Sequence, residues 1–261
     1  MERAAFDLFA SLQADHWWFR GRRALYTDLL EHVLSRDLGR PPRGLRVLDV
    51  GCGAGGWLQP LSQFGTVTGI ELDEPSIRFC RELDLHRTLV GRVDALPVPP
   101  GSHDLVCLWD VIEHTVDDRG VLAEARRALR PGGHLVLSVP AYQFLYANND
   151  RVAHHQRRYT RGGLVARLRE GGFDVRKATY VNCVLGVVII PAVLLIKLKE
   201  RLFPVRDDPS NNLSIRVPRP LNALLAGIFG GERHVLRHLD APFGHSLFVV
   251  ARRVDDGARA G

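Results

Sequence analysis

Cysteine is scarce in this chain, and its cysteines lie far apart. Cys52, Cys80, Cys107 and Cys183 are the only four among 261 residues, and no C-x-x-C pair occurs. That spacing argues against a zinc ribbon and suits a reducing, cytosolic compartment better than a disulfide framework. A membrane-spanning run is also missing: "CVLGVVIIPAVLLI" has 14 residues with Pro191 inside, and a spanning helix needs about 20. The opening "MERAAFDLFASLQADHWWF" carries acids early and has no apolar core, which is unlike a secretory signal. Fixed-period repeats and low-complexity blocks are absent, and disorder is expected only in the closing "DDGARAG". The charge balance is basic, 35 Lys and Arg against 29 Asp and Glu for a net +6, which permits anionic partners. Neither a long basic stripe with interleaved aromatics nor an asparagine-proline-proline-aromatic motif occurs, so no nucleic-acid partner is expected.

What remains is the composition of a globular protein, 46% hydrophobic and 25% charged. Residues 1–40 read as a helical cap, with Trp18, Leu25, Leu29, Leu30 and Val33 at helical spacing. "RPPRG" breaks it. Residues 41–182 then alternate: strand "LRVLDVG", helix "GGWLQPLSQFG", strand "TVTGIEL", helix "DEPSIRFCRELDL", strand "RTLVGRVDAL", strand "HDLVCLWDVIEH", helix "DRGVLAEARRALRPGG" and strand "HLVLSVPA". "AYQFLYANNDRVAHHQRRYT" reads as a long loop, and a helix follows with Thr160 as its N-cap, then the strand "FDVRKATYVN". Residues 183–240 form an insertion expected to be helical, and 241–261 supply a last strand and a tail. Such alternation predicts an α/β, doubly wound, mostly parallel sheet with its ligand at the carboxyl ends of the strands.

The first strand runs into "VLDVGCGAGGWL", where Gly51, Gly53 and Gly56 spell G-x-G-x-x-G, a string usually taken for a dinucleotide fingerprint. Asp49 tilts the choice. A carboxylate beside the turn repels a pyrophosphate but attracts the sulfonium and α-ammonium groups of S-adenosylmethionine. The glycines serve either ligand by letting the backbone approach closely. Glu71, 22 residues after Asp49 at the end of the second strand, can accept ribose hydroxyls of either cofactor. Asp94, before Ala95 at the end of the third, can accept from an adenine amino group.

"VLDVGCGAGGW", "VTGIELDEPSI", "VDALPVPPGSHDLVCLWDVIEH" and "ALRPGGHLVLSVP" follow one another over about residues 45–140. In that order the chain resembles a class I S-adenosylmethionine-dependent methyltransferase. The resemblance implies a seven-stranded Rossmann-like sheet whose last strand is antiparallel, and S-adenosylmethionine as cofactor. It implies that Asp49, Gly51, Cys52 and Gly53 line the methionine end, that Glu71 takes the ribose and Leu72 packs on adenine. Asp94 and Ala95 would flank the adenine edge, and Trp109 and Asp110 would close over the cofactor. "HWWF…RR", "H-x-RRYT" and "PFGHSLFVVAR" resemble one bacterial branch of that family.

The acceptor side rests on the residues alone. In "HWWFRGRR", either the two tryptophans pack on the sheet rim or the helix is a lid over the cofactor with Trp17 or Trp18 against the acceptor and His16, Arg20 or Arg23 reaching the cofactor carboxylate or an anionic acceptor. In "DRVAHHQRRYT", guanidinium groups pair with phosphate or carboxylate, so His155, Arg157 and Arg158 become anion-binding candidates alongside Tyr142. No metal is expected there, because adjacent histidines seldom share an ion and no third ligand follows. Glu113, His114 and Tyr159 are candidate bases or walls near the methyl acceptor. The expected partner is a small or lipid-like anionic acceptor, an isoprenoid phosphate or diphosphate among them, with a neutral phenol or polyketide as the alternative. The segment 183–203, apolar and ending in "KLKER", leaves open a peripheral membrane contact, a twin subunit or the chain's own core.

Overall fold

The computed structural model describes residues 13–82, 87–202 and 217–255; the tail predicted to be disordered lies almost wholly outside them. Seven strands make one sheet in the order β3-β2-β1-β4-β5-β7-β6. They are β1 Leu45–Val50, β2 Gly65–Glu71, β3 Arg87–Val90, β4 His103–Trp109, β5 Leu129–Pro140, β6 Phe173–Val181 and β7 Ser246–Arg253. The first five pair in parallel, and β7 runs antiparallel between β5 and β6. The strand order reverses beside β1, which is where such sheets place their ligand.

The central strands carry unbroken apolar runs because both faces are covered. On one face Leu48, Val50, Val106, Leu108, Leu135 and Leu137 pack under α4, Asp118–Ala128, and α6, Arg161–Glu170. On the other, Val47, Leu105, Val136 and Phe248 meet Leu25, Tyr26, Leu29 and Val33 of α1, Trp17–Leu38. Helix α1 opens on His16, whose ring accepts from Trp18 N, and closes on Gly39 in the left-handed region. Thr160 does cap α6, accepting from Gly163 N at 3.3 Å.

Four elements differ from the expectations, the first being β3, which ends at Val90, short of Asp94 and Ala95. The helix expected over 55–65 is one turn, α2 Leu58–Leu61; Gly55, with positive φ, and Pro60 leave too little good helix sequence for more. Helix α4 ends at Ala128, and "LRPGG" continues as the start of β5, since Pro131 cannot extend a helix. The long loop after β5 contains a 3₁₀ turn, Gln143–Leu145, and a short helix α5, Asn148–Val152. In the insertion, α7 spans Cys183–Leu202 and α8 spans Arg219–Gly231, followed by a turn α9, Arg233–Leu236. Helix α8 packs on α1 through Phe229, fully buried against Gly21. Helix α3, Glu74–Glu82, follows β2. Val187, Val188 and Leu195 of α7 stay exposed, so this apolar helix is not a core element within the described chain. No described helix is long and apolar enough to cross a membrane.

Candidate active site

Asp49 is the buried centre of the first cluster. It is 1% exposed, and neither carboxylate oxygen has a hydrogen-bond partner. Burial, then neighbouring Cys80 and Glu71, push its carboxyl well above the usual range. An orphaned buried carboxylate is costly unless a ligand completes it. A cationic ligand would restore its charge and satisfy its oxygens, so the residues present fit the sulfonium and ammonium of S-adenosylmethionine.

The loop after β1 turns sharply beside it. Gly51 N and Cys52 N both donate to Ile70 O, at 2.8 and 3.0 Å. Gly51 has φ +73, and a Cβ there would stand 3.0 Å from Val111. Both conformation and space therefore demand glycine. Gly53, at φ +53, donates to Glu71 Oε2 at 2.9 Å, while Glu71 Oε1 accepts from Leu72 N and Asp73 N. Glu71 thus braces the loop and retains acceptor capacity for two hydroxyls. Leu72 is 61% exposed, an apolar surface ready for a flat ring. The Cys52 sulfur packs over β2, where a Cβ on Gly69 would come within 2.8 Å of it. Asp94 is paired bidentately with Arg92, and Ala95 closes that turn through a bridge to Arg92.

Trp109, expected to close over the cofactor, is 8% exposed. It is buried in a stack, 4.3 Å from Trp57 and 5.7 Å from Tyr26, under α1. Asp110, at φ 53 just after β4, accepts from Arg22 and from Ser138 Oγ at 3.1 Å. Arg22 was missed in the sequence. It is 4% exposed, donates to Ser138 Oγ at 2.8 Å and covers the Trp18 and Tyr26 rings. The available signal was its position: Arg22 shares the helical stripe of Leu25, Tyr26 and Leu29.

The acceptor-side residues divide into two kinds. The arginines are consumed internally. Arg158 forks onto both oxygens of Asp150, at 2.8 and 2.9 Å, and its partner is fully buried. Arg157 donates to Asp118 Oδ2 at 3.3 Å and to Val116 O at 2.8 Å. This corrects the anion-binding expectation, for neither guanidinium is left over for a phosphate. Arg23 likewise donates to Gln13 O and Ala14 O. Tyr159 is spent as well: its hydroxyl donates to Asp118 Oδ2 at 2.8 Å, and burial first, then that bond, raise its pKa, which makes it a strut instead of a base. Tyr142 stacks on Tyr180 at 5.0 Å. Trp17 and Trp18 take the packing alternative, 6.4 and 5.3 Å from Phe229, and Trp18 also meets His245 at 5.7 Å.

The second kind is unspent. Glu113 lies in the 3₁₀ turn Ile112–His114 after β4, fully buried, with both carboxylate oxygens unpartnered. Burial first, then Asp110, raise its pKa well above the usual range. His114 and His155 meet edge to face, ring centres 4.7 Å apart. His155 Nδ1 lies 2.8 Å from Asp150 Oδ1, and burial notwithstanding, hydrogen bonds from His155 and Arg158 hold Asp150 well below the usual carboxylate range. Asp150 therefore accepts and Nδ1 donates, which turns Nε2 to the other side of the ring. Gln156 N donates to Glu113 O at 2.7 Å, which fastens the two segments together. The adjacent pair His154–His155 does not meet in one cluster; instead donor atoms of Glu113, His114 and His155 lie within 4.8 Å of one another.

Residues 48–137 match a family model described as a methyltransferase domain. The chain is 31% identical to a ubiquinone biosynthesis O-methyltransferase of Bordetella avium over 53% of this chain and 61% of that one. It is 29% identical to the protein of the same name in Thiobacillus denitrificans, over 55% and 70% of the two chains. The chain therefore spans about three fifths of the Bordetella relative's length. Among solved structures, a Haemonchus contortus phosphoethanolamine N-methyltransferase holding S-adenosylhomocysteine superposes with a TM-score of 0.55 at 18% identity, over 85% of this chain and 52% of that one. That likeness speaks for the fold.

Proposed function

Since this chain belongs to the class I S-adenosylmethionine-dependent methyltransferases, we propose that it methylates a hydroxyl oxygen on a neutral, amphiphilic acceptor. The observation that carries this reading is the division of the acceptor side: Arg23, Arg157 and Arg158 are paired, while Glu113 keeps both carboxylate oxygens unpartnered beside His114 and His155. A phosphate needs the first kind of group free; a hydroxyl that must lose a proton needs the second. An isoprenoid phosphate is accordingly not supported. The two O-methyltransferase relatives agree with an oxygen acceptor.

S-adenosylmethionine, when bound, supplies an electrophilic methyl group. Asp49 holds its cationic end, Gly51 and Gly53 admit its backbone-close parts, and Glu71 accepts its ribose hydroxyls. Arg22, bridging α1 to Asp110 and Ser138, locks the helical cap onto the strand ends and keeps water out. Position and exclusion are most of what such a reaction asks of a protein. Asp150 orients the imidazole of His155, whose ring stands beside Glu113 and His114. The apolar tail is assigned to the exposed side of α7, which is tied to the loop after β5 by Lys197 Nζ donating to Phe144 O at 2.6 Å. The same face suits an acceptor dissolved in a membrane surface. With all four cysteines free, the enzyme is assigned to a reducing, cytoplasmic setting.

S-adenosylhomocysteine release is measured with alkylated phenols or catechols in detergent or vesicles, and separately with prenyl diphosphates. Turnover confined to the phenolic pool is expected. Turnover confined to the diphosphates, abolished in Arg158→Met, would overturn the reading.

A further inference from the structure

Two imidazoles and a buried bare carboxylate meet at one point of the fold. We propose that Glu113, His114 and His155 form a binding site for one divalent transition-metal ion of the zinc or manganese type. The geometry stands on three independent observations. The donor atoms converge within 4.8 Å from two segments some forty residues apart in sequence. Glu113 is fully buried with both oxygens unpartnered, so the interior holds a negative charge, or the proton that replaces it, with no protein group to receive it. His155 is oriented through its far nitrogen by Asp150 at 2.8 Å, the carboxylate–histidine arrangement that fixes a metal-binding imidazole in the correct tautomer.

Ions of this class hold nitrogen and oxygen donors at about 2.0–2.2 Å, so the three groups must draw closer than they now stand. His114 is exposed and has room to swing, while Glu113 and His155 are held by the bond from Gln156 N to Glu113 O. Two nitrogens and one oxygen suit zinc or manganese better than magnesium, which prefers oxygen ligands throughout. Three protein ligands leave positions open, as in sites that act on a bound oxygen. The role of the ion rests on the methyltransferase reading; the existence of the site does not. A hydroxyl bound at an open position would release its proton to solvent and keep the electron pair on oxygen at neutral pH, because the ion stabilises the oxyanion.

The test uses the full chain, stripped with chelator and titrated calorimetrically with Zn²⁺, and with Co²⁺ as a spectroscopic probe. One equivalent is expected to bind, insensitive to millimolar Mg²⁺, with a thermal-shift increase. Affinity is expected to fall at least about tenfold in His155→Ala and in Glu113→Gln. Should Glu113→Gln fail to fold, His155→Ala and His114→Ala decide. The control is His32→Ala, in the surface pair His32–His238, which is expected to bind as wild type. Unchanged binding in His155→Ala, no binding by wild type, or loss only in His32→Ala would each overturn the site. S-adenosylhomocysteine binding is measured alongside: its absence would count against the methyltransferase reading and leave the metal result standing.

Discussion

Asp49 and Asp150 are both buried aspartates near the carboxyl ends of the strands, and they live in opposite conditions. Asp49 has no partner for either oxygen and a raised pKa. Asp150 receives Arg158, His155 and Ala147 N, and its pKa is depressed. The first is an incomplete site awaiting a cation; the second is finished architecture. Charge in a cleft therefore says little until its partners are counted, and the arginines of the loop after β5, conspicuous in the sequence, belong to the finished kind.

The comparison breaks most visibly at Asp49. Asp49→Asn removes the charge that a cationic ligand would meet but also removes an uncompensated buried carboxylate. S-adenosylhomocysteine affinity is expected to drop by about 3–4 kcal/mol, several hundredfold, while the denaturation midpoint holds or rises. Calorimetry and urea melts on one preparation check both halves; a loss of stability matching the loss of binding would mean that Asp49 is structural after all. Arg158→Met is expected to do the reverse. It strips a fully buried Asp150 of its cation, at a cost of about 3 kcal/mol in stability, and leaves the acceptor KM unchanged. Arg157→Ala should cost less, on the order of 1 kcal/mol, because Asp118 keeps Arg167 and Tyr159.

How much of this was legible follows from distance along the chain. The cofactor half is local: strand, glycine turn and Asp49 are contiguous, and Glu71 closes a repeating unit, so strand order and loop followed from the pattern of 45–140. The acceptor half joins segments far apart. Nothing in "VIEH" reveals that His155 stands beside His114, and nothing in "HHQRRYT" reveals that Asp118 and Asp150 consume its arginines. Tryptophans 17 and 18 were ambiguous because their partner, Phe229, comes from an insertion whose packing no periodicity specifies. The stack of Trp109 with Tyr26 and Trp57 joins three segments and was equally hidden.

His245 sharpens the comparison by pH. Burial, then Arg158, lower its pKa to about 4 from an ordinary 6.5, with Asp150, Asp110 and Arg22 also within its field. Its Nδ1 has no partner. Between those two values the unfolded chain binds a proton that the folded chain refuses, so stability falls as pH drops from 6.5 toward 4 and is fully present above 6.5. The loss from this group is about 2 kcal/mol at pH 5. His245→Gln is expected to flatten that limb in urea melts from pH 7 to 5; an unchanged slope would assign it to other groups.

Leu72 gives the smallest effect and the most specific one. At 61% exposed it has little apolar surface left to lose on unfolding, so Leu72→Ser should leave stability within about 0.5 kcal/mol. A flat adenine lying on it would bury on the order of 30–40 Å² of leucine surface, worth about 1 kcal/mol. S-adenosylhomocysteine affinity is therefore expected to weaken three- to fivefold, while binding of free methionine, which has no ring, stays unchanged. Equal weakening of both ligands would move the adenine elsewhere and leave the exposed leucine without a task on the cofactor side.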